Sequence, residues 1–211
     1  IIEDAAQSFG AMHYNKYSCN ISDISTTSFF PSKPLGGYGD GGAIFTNKKK
    51  IYEKLISIRA HGQKKKYYHK YIGINGRLDT LQATIISEKL KRFKSEIILR
   101  EQKARQYRNQ LKKVKEINLP FIEDYNKSVY AQFCILVEKR DESKNFLLKS
   151  KIPTAIYYPK LLNNQPALYT REKFKKAKKI TKNILAIPFS PYISNKEIKL
   201  VSNKIKKFYG Y

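Results

Sequence analysis

The residue whose setting best suits covalent chemistry is Lys33, in the segment PSKP at residues 31–34. It follows a predicted strand at residues 26–30, and five of the seven residues from 36 to 42 are glycines. A lysine held among apolar and cationic groups can keep a neutral amine, which can form a Schiff base with an aldehyde. Glycine backbone beside it can admit a planar cofactor or a phosphate. Lys33 is therefore the candidate catalytic residue, and a solvated lysine beside a loop is the alternative.

A second candidate is the acidic group of Asp4, which follows the short apolar start of the chain and precedes Gln7 by three residues. A carboxylate at the end of a buried strand can keep the nitrogen of a pyridine ring protonated, which makes the ring an electron sink. The Gln7 amide could donate to a phenolic oxygen on the same ring. The same run also suits an ordinary strand exit or helix cap.

These residues need an open α/β framework, because such sheets place ligands at the carboxyl ends of their strands. The hydrophobic patterns predict that class, with strands and helices in alternation and no internal repeat. The predicted strands are residues 1–3, 26–30, 43–46, 129–137, 154–158 and 184–189, and the predicted helices are 49–59, 79–111, 142–149, 171–179 and 195–208. Residues 67–74 are predicted to be irregular. The predicted domains are 1–118 and 119–211, with the boundary between residues 115 and 125.

The composition is globular but strongly basic: 42 Lys and Arg against 17 Asp and Glu give a formal charge of +25. Such an excess suits a polyanionic partner. However, it is mostly lysine spread over predicted helix faces, and no nucleic-acid-binding motif is present, so we expect solvated basic surfaces and no nucleic-acid partner. No run of apolar residues is long enough for a transmembrane helix, so no membrane association is expected. Two cysteines, Cys19 and Cys134, are too few for a disulfide framework or a zinc site, which favours a cytoplasmic protein without a structural metal.

Five motifs in order resemble one enzyme family. They are IEDAAQSFGA (residues 2–11), TSFFPSKPLG (27–36), GDGGA (39–43), RAHGQ (59–63) and GINGRLDTLQA (73–83). The order and spacing are similar to those of the DegT/DnrJ/EryC1/StrS family, which are sugar aminotransferases that depend on pyridoxal 5′-phosphate (PLP). The resemblance implies the fold of that class: part of a fold type I large domain, followed by a smaller α/β C-terminal domain.

The resemblance also implies roles for individual residues. Lys33 would carry the cofactor as a Schiff base and move the proton between its C4′ carbon and the sugar carbon. Asp4 would hold the ring nitrogen, Gln7 would contact the phenolic oxygen, and Ser28 would bind the phosphate.

Two further residues imply an assembly. Asn75 resembles an asparagine that reaches the cofactor phosphate of the neighbouring subunit, and Arg77 one that meets the anionic groups of the substrate. A homodimer with a shared active site is therefore expected. The amino donor implied is glutamate, and the acceptor is a nucleotide-linked keto-sugar.

The segments YAQF (130–133), PTA (153–155) and YP (158–159) look most like enzymes that aminate UDP-2-acetamido-2-deoxy-3-oxo-glucuronate for bacterial surface polysaccharides such as the O-antigen of lipopolysaccharide. Tyr157 and Tyr158 would then lie at the sugar-nucleotide pocket. Tyr157 stands where related enzymes often carry a histidine, and Asn163 stands near a second such position.

The chain opens inside an apolar run without a methionine, so we expect a fragment that lacks roughly the first two-fifths of a family member. A non-catalytic truncated remnant is one alternative. A basic nucleic-acid-binding protein is another, and a sugar dehydratase of the same fold is disfavoured because such enzymes replace the lysine with histidine.

Overall fold

The computed structural model describes all 211 residues, which form two compact units of mixed α/β structure. The first unit comprises Ile1–Ile97 and Ile122–Ala131, and the second comprises Ile98–Phe121 and Gln132–Tyr211. Each unit therefore consists of two separate segments of the chain. The predicted α/β class is confirmed, while the division at residues 118 and 119 stays a prediction about domains.

The first unit has eight short strands. They are β1 (Ile2–Asp4), β2 (Met12–His13), β3 (Lys16–Tyr17), β4 (Ile24–Ser28), β5 (Gly42–Phe45), β6 (Gln63–Lys65), β7 (Tyr68–His69) and, by chain order, β9 (Asn126–Lys127). The main sheet has the order β1-β4-β5, in which β1 and β4 are parallel and β5 is antiparallel to β4. Because β1 and β4 run in the same direction, their carboxyl ends lie at the same edge of the sheet.

The helices of this unit agree closely with the sequence prediction. The first, α1, spans Lys49–Arg59, and α2 spans Thr80–Leu111, which begins in the first unit and continues into the second. The core of the first unit contains Phe29, Leu35, Ile86 and Phe93, with Phe9 packed against it. Two of these residues flank the predicted cofactor lysine, so burial of apolar surface fixes the chain on both sides of it.

The second unit is built around an antiparallel sheet of order β11-β10-β8 with three further helices. Its strands and α-helices are β8 (Ile117–Asn118), β10 (Phe133–Val137), α3 (Arg140–Lys149), α4 (Lys175–Asn183), β11 (Ile184–Ile187) and α5 (Asn195–Phe208), and two short 3-10 helices span Leu162–Asn164 and Pro166–Leu168. The strand predicted at 129–137 is thus shortened to its second half. The strand predicted at 154–158 is wrong, since only Ala155 pairs, in an isolated bridge to Ala186.

The prediction for residues 67–74 is also wrong in part, because β7 lies within this segment and pairs with β6 as a hairpin. Gly62 and Gly73 meet at the base of that hairpin. A Cβ on Gly73 would lie 2.1 Å from the Gly62 nitrogen, so this close approach requires glycine. None of the five helices combines the length and the apolar character that a membrane span needs.

Candidate active site

Asp4 is the last residue of β1 and lies level with Thr26 of the parallel strand β4. Its Oδ1 accepts the Ala6 backbone N–H at 3.0 Å, which fixes the carboxylate at the strand exit. The side chain is exposed, as expected of an acid without a buried partner. Behind it, the buried Thr27 hydroxyl donates to the Ala5 carbonyl at 3.1 Å and ties this exit to β4.

Lys33 follows the end of β4 by five residues and is half-buried in a turn. Its backbone N–H donates to the Phe30 carbonyl at 2.9 Å. The Ser28 hydroxyl, at the last position of β4, accepts the Phe30 N–H at 3.2 Å. Asp4, Ser28 and the Lys33 turn are therefore all at the carboxyl edge of the β1–β4 pair, as the sequence predicted for a ligand site.

The glycine cluster is closely packed, which differs from the flexible, exposed loop that its composition suggests. Gly36 and Gly37 are buried, and the Gly37 N–H donates to the Phe29 carbonyl at 2.7 Å. A Cβ on Gly36 would lie 2.5 Å from the Pro31 carbonyl oxygen. The glycines are needed because backbone approaches backbone, and the result is an ordered loop.

Two residues that the sequence analysis did not single out hold this loop from α2. Gln82 Oε1 accepts the Tyr38 N–H at 2.8 Å, and the Lys89 ammonium donates to the Gly36 carbonyl. Ile86, between them in sequence, is buried against Phe29 and Leu35. The spacing of residues 82, 86 and 89 is that of one helix face. Gln82 also lies in the motif at residues 73–83, whereas Lys89 has no signal beyond this spacing.

The other predicted cofactor and substrate residues of the first unit lie on two different segments. Gln7 is exposed in the turn after β1. Asn75 pairs with Ala60 in an isolated bridge, next to the β6–β7 hairpin. Arg77 lies 3.4 Å from His61, measured from Nη1 to Nε2. Asn75 and Arg77 are thus held beside the hairpin. The approach of Asn75 to a partner subunit and the contact of Arg77 with the substrate stay predictions.

Tyr157 and Tyr158 belong to the second unit. Their rings meet edge to face with centroids 5.6 Å apart, and the side chains are 38% and 66% exposed. Exposed aromatic rings can pack against a base or a sugar. Their role in substrate binding also stays a prediction.

The residues at the sheet edge fit the chemistry of PLP. A half-buried lysine amine suits its aldehyde, a carboxylate at a strand end suits a protonated ring nitrogen, and a hydroxyl on the neighbouring strand suits its phosphate. The Asp4 hydrogen bond engages Oδ1 alone, so Oδ2 is left for a ligand.

The fold is that of the α/β aminotransferases, as comparisons with solved structures show. An aminotransferase from Brucella abortus is 38% identical and superposes with a TM-score of 0.96, over 100% of this chain and 57% of that one. NtdA from Bacillus subtilis, solved with bound PMP (pyridoxamine phosphate), is 27% identical with a TM-score of 0.88, over 100% of this chain and 50% of that one.

The chain belongs to the DegT/DnrJ/EryC1/StrS aminotransferase family, whose pattern matches residues 1–206. It is 46% identical over 202 residues to a UDP-2-acetamido-2-deoxy-3-oxo-D-glucuronate aminotransferase from Pseudomonas aeruginosa, which covers 95% of this chain and 56% of that protein. The chain thus spans about half the length of the relatives it matches. The family resemblance inferred from the motifs is confirmed.

Proposed function

We propose that the protein carrying this chain is a PLP-dependent aminotransferase that moves an amino group from glutamate to a UDP-linked 3-keto-sugar. The observation that carries the proposal is the placement of Asp4 and the Lys33 turn at the same carboxyl edge of the β1–β4 pair. The 46% identity to an enzyme named for such a substrate supports the choice of acceptor. The resemblance of residues 130–133, 153–155 and 158–159 to enzymes of bacterial surface-polysaccharide synthesis supports that use for the product.

When bound, PLP supplies an aldehyde carbon and a ring that withdraws electrons. Lys33 would hold it covalently through Nζ and, once released, would move a proton between the C4′ carbon and the sugar carbon that receives the amine. Asp4 would keep the ring nitrogen protonated through charge. Gln7 would donate to the phenolic oxygen, and Ser28 would donate to the phosphate.

The remaining roles concern the substrate and a second subunit. Asn75 would contact the cofactor phosphate of a partner subunit, and Arg77 would meet the anionic groups of the sugar nucleotide, since a guanidinium fork matches phosphate and carboxylate oxygens. Tyr157 and Tyr158 would pack against the sugar nucleotide. The proposal therefore includes a homodimer, which sedimentation of the purified protein tests directly, and a location in the cytoplasm.

The experiment that tests the proposal is spectroscopic. The gene product that carries this chain, whatever its length, should show the visible absorption band of protein-bound PLP, and borohydride should abolish the band and attach the cofactor's mass to Lys33. Lys33→Ala should lack the band. Lys94→Ala, a change at an exposed lysine of α2, is the matched control and should retain it.

Activity separates the roles of the two central residues. Asp4→Asn should keep cofactor yet lose at least roughly 10²-fold in kcat for 2-oxoglutarate formation from glutamate and the keto-sugar, because the amide cannot hold the ring proton. Absence of the band and of the mass in the wild-type gene product would contradict the proposal and favour a non-catalytic remnant.

A further inference from the structure

The loop after Lys33 is held by one face of α2, and the contacts come from three residues on successive turns. Gln82 accepts the Tyr38 N–H at 2.8 Å, Ile86 is buried against Leu35, and the Lys89 ammonium donates to the Gly36 carbonyl. Both polar contacts are made to backbone atoms. They therefore constrain the path of the chain and not merely the position of a side chain.

Lys89 has no acidic partner competing for its ammonium. The neighbouring acid, Glu88, pairs with Lys91 at 2.6 Å. The Lys89 ammonium instead lies 5.7 Å from the centre of the Tyr38 ring, within the range of a cation–π contact. A charged donor on a half-buried carbonyl makes a stronger hydrogen bond than a neutral one. Lys89 thus joins the loop at two points, Gly36 and Tyr38.

Only a short segment separates Lys33 from these contacts, so they also restrict the position of Lys33. On its amino side, the Lys33 N–H is bound to the Phe30 carbonyl. On its carboxyl side, Pro34 has a fixed φ, Leu35 is buried at 3% exposure, and Gly36 receives the Lys89 hydrogen bond. Three residues after Lys33, the chain is therefore tied to α2 at Gly36, in addition to the bond from the Gly37 N–H to the Phe29 carbonyl.

We infer that Gln82 and Lys89 are positioning residues for the Lys33 amine, acting through the loop at residues 34–38. The inference rests on the proposed function of Lys33 for its effect on turnover, but the positioning itself concerns this chain alone. Loss of either contact releases the loop at one anchor and widens the range of positions that Lys33 Nζ samples. Misplacement of a reacting group by about 1 Å can cost as much as 10²-fold in rate.

The first test does not require cofactor. Competitive acetylation of the chain, read by peptide mass spectrometry, measures the reactivity of Lys33 relative to other lysines. Lys89→Met and Gln82→Leu should each raise the relative acetylation rate of Lys33 at least threefold. Lys89→Arg and Gln82→Glu keep the donor and the acceptor, and should restore the wild-type rate. Lys94→Met, at an exposed lysine of the same helix, is the matched control and should change nothing.

The second test uses the PLP-loaded protein. Lys89→Met should lower kcat roughly tenfold with KM for the keto-sugar unchanged, and should shift the pH at which the visible band changes, whereas Lys94→Met should do neither. If Lys89→Met matches Lys94→Met in both tests, the inference is overturned. If the wild-type protein takes up no cofactor but the acetylation result holds, the proposed function fails and the positioning role stands.

Discussion

The last two residues of β1 carry carboxylates, and the two carboxylates make different contacts. Glu3 has both oxygens engaged: Oε1 accepts the Cys19 N–H at 3.0 Å, and Oε2 accepts the Ser25 hydroxyl at 2.9 Å. Asp4 uses only Oδ1, for the Ala6 N–H. Because successive side chains of a strand point to opposite faces, Glu3 binds the framework and Asp4 is left for a ligand. The choice of Asp4 over Glu3 thus has a structural basis beyond the motif.

A buried tyrosine in the second unit gives a prediction about stability at this scale. The Tyr107 side chain is fully buried, its hydroxyl donates to the Pro188 carbonyl at 2.7 Å, and its ring stacks on Phe133. Tyr107→Phe removes the donor and leaves the carbonyl without it, so the free energy of unfolding should fall by about 1 kcal/mol. Urea unfolding followed by circular dichroism measures this, and Tyr52→Phe at an exposed position of α1 should change it by less than about 0.5 kcal/mol.

Tyr107 also predicts the direction in which the free energy of unfolding changes with pH. Burial, and to a lesser extent Glu197, raise the pKa of Tyr107 above its usual range. The unfolded chain therefore loses this proton first as pH rises, and the stabilisation present below about pH 10 is lost above it. Tyr107→Phe should lose less stability than wild type between pH 9 and pH 11, each compared with its own value at pH 8. Equal losses in the two proteins would contradict this assignment.

At the scale of elements, the β6–β7 hairpin depends on two glycines at its base. Gly62 has φ +73°, and its carbonyl accepts the amides of Lys70 at 2.8 Å and Tyr71 at 3.2 Å. Gly73→Ala would place a methyl group against the Gly62 nitrogen. It should destabilise the hairpin by about 1–3 kcal/mol, the usual cost of overpacking.

Hydrogen exchange of the Lys70 and Tyr71 amides measures that opening locally. Both amides should exchange faster in Gly73→Ala. The control is Gly76→Ala, where the nearest atoms belong to the flexible Ile74 side chain at 3.1 Å. Unchanged exchange in Gly73→Ala, or equal acceleration in the control, would show that the base does not depend on this contact.

The elements also show which parts of the fold can be predicted from the sequence. Helices with a long apolar period, such as α1, α2 and α5, were predicted within a residue or two because their signal is local. The segment 154–158 has β-branched and aromatic residues but only Ala155 finds a partner, and strand formation depends on such partners. The β6–β7 hairpin was missed because lysines and tyrosines show no alternation there. Its anchor, the Gly62–Gly73 approach, joins two positions eleven residues apart that no local pattern links.

The residues of the candidate site also differ in how well the sequence predicts them. Asp4, Ser28 and Lys33 could be predicted because each lies in a compact motif beside a strand end. Gln82 and Lys89 could not, since they act on a loop some fifty residues earlier, and helix periodicity marks a face without naming what it contacts. The sequence therefore predicts the residues that would contact the cofactor better than the residues that position them.

At the scale of the whole molecule, the net charge of +25 is the feature that the proposed function explains least. One acid-free segment is residues 54–78, which contain seven Lys and Arg and no Asp or Glu. The lysines of the hairpin there lie over tyrosine rings, with Lys65 Nζ 5.6 Å from Tyr68 and Lys66 Nζ 5.1 Å from Tyr67. Exposed lysines of this kind attract any polyanion through general electrostatics.

If the charge is only a solvated basic surface, nucleic-acid binding should be weak, independent of sequence and steeply dependent on salt. Fluorescence anisotropy with labelled single-stranded oligonucleotides of different sequence should give equal affinities at 50 mM salt and a loss of roughly 10³-fold by 200 mM, since binding would come from counterion release alone. Heparin should displace the oligonucleotides as effectively as unlabelled DNA does. Affinity that distinguishes one sequence from another and persists at 200 mM salt would contradict this view, because base-specific contacts survive screening better than phosphate contacts do. That result would assign the basic surface a nucleic-acid partner of its own, separate from the chemistry at the edge of the β1–β4 pair.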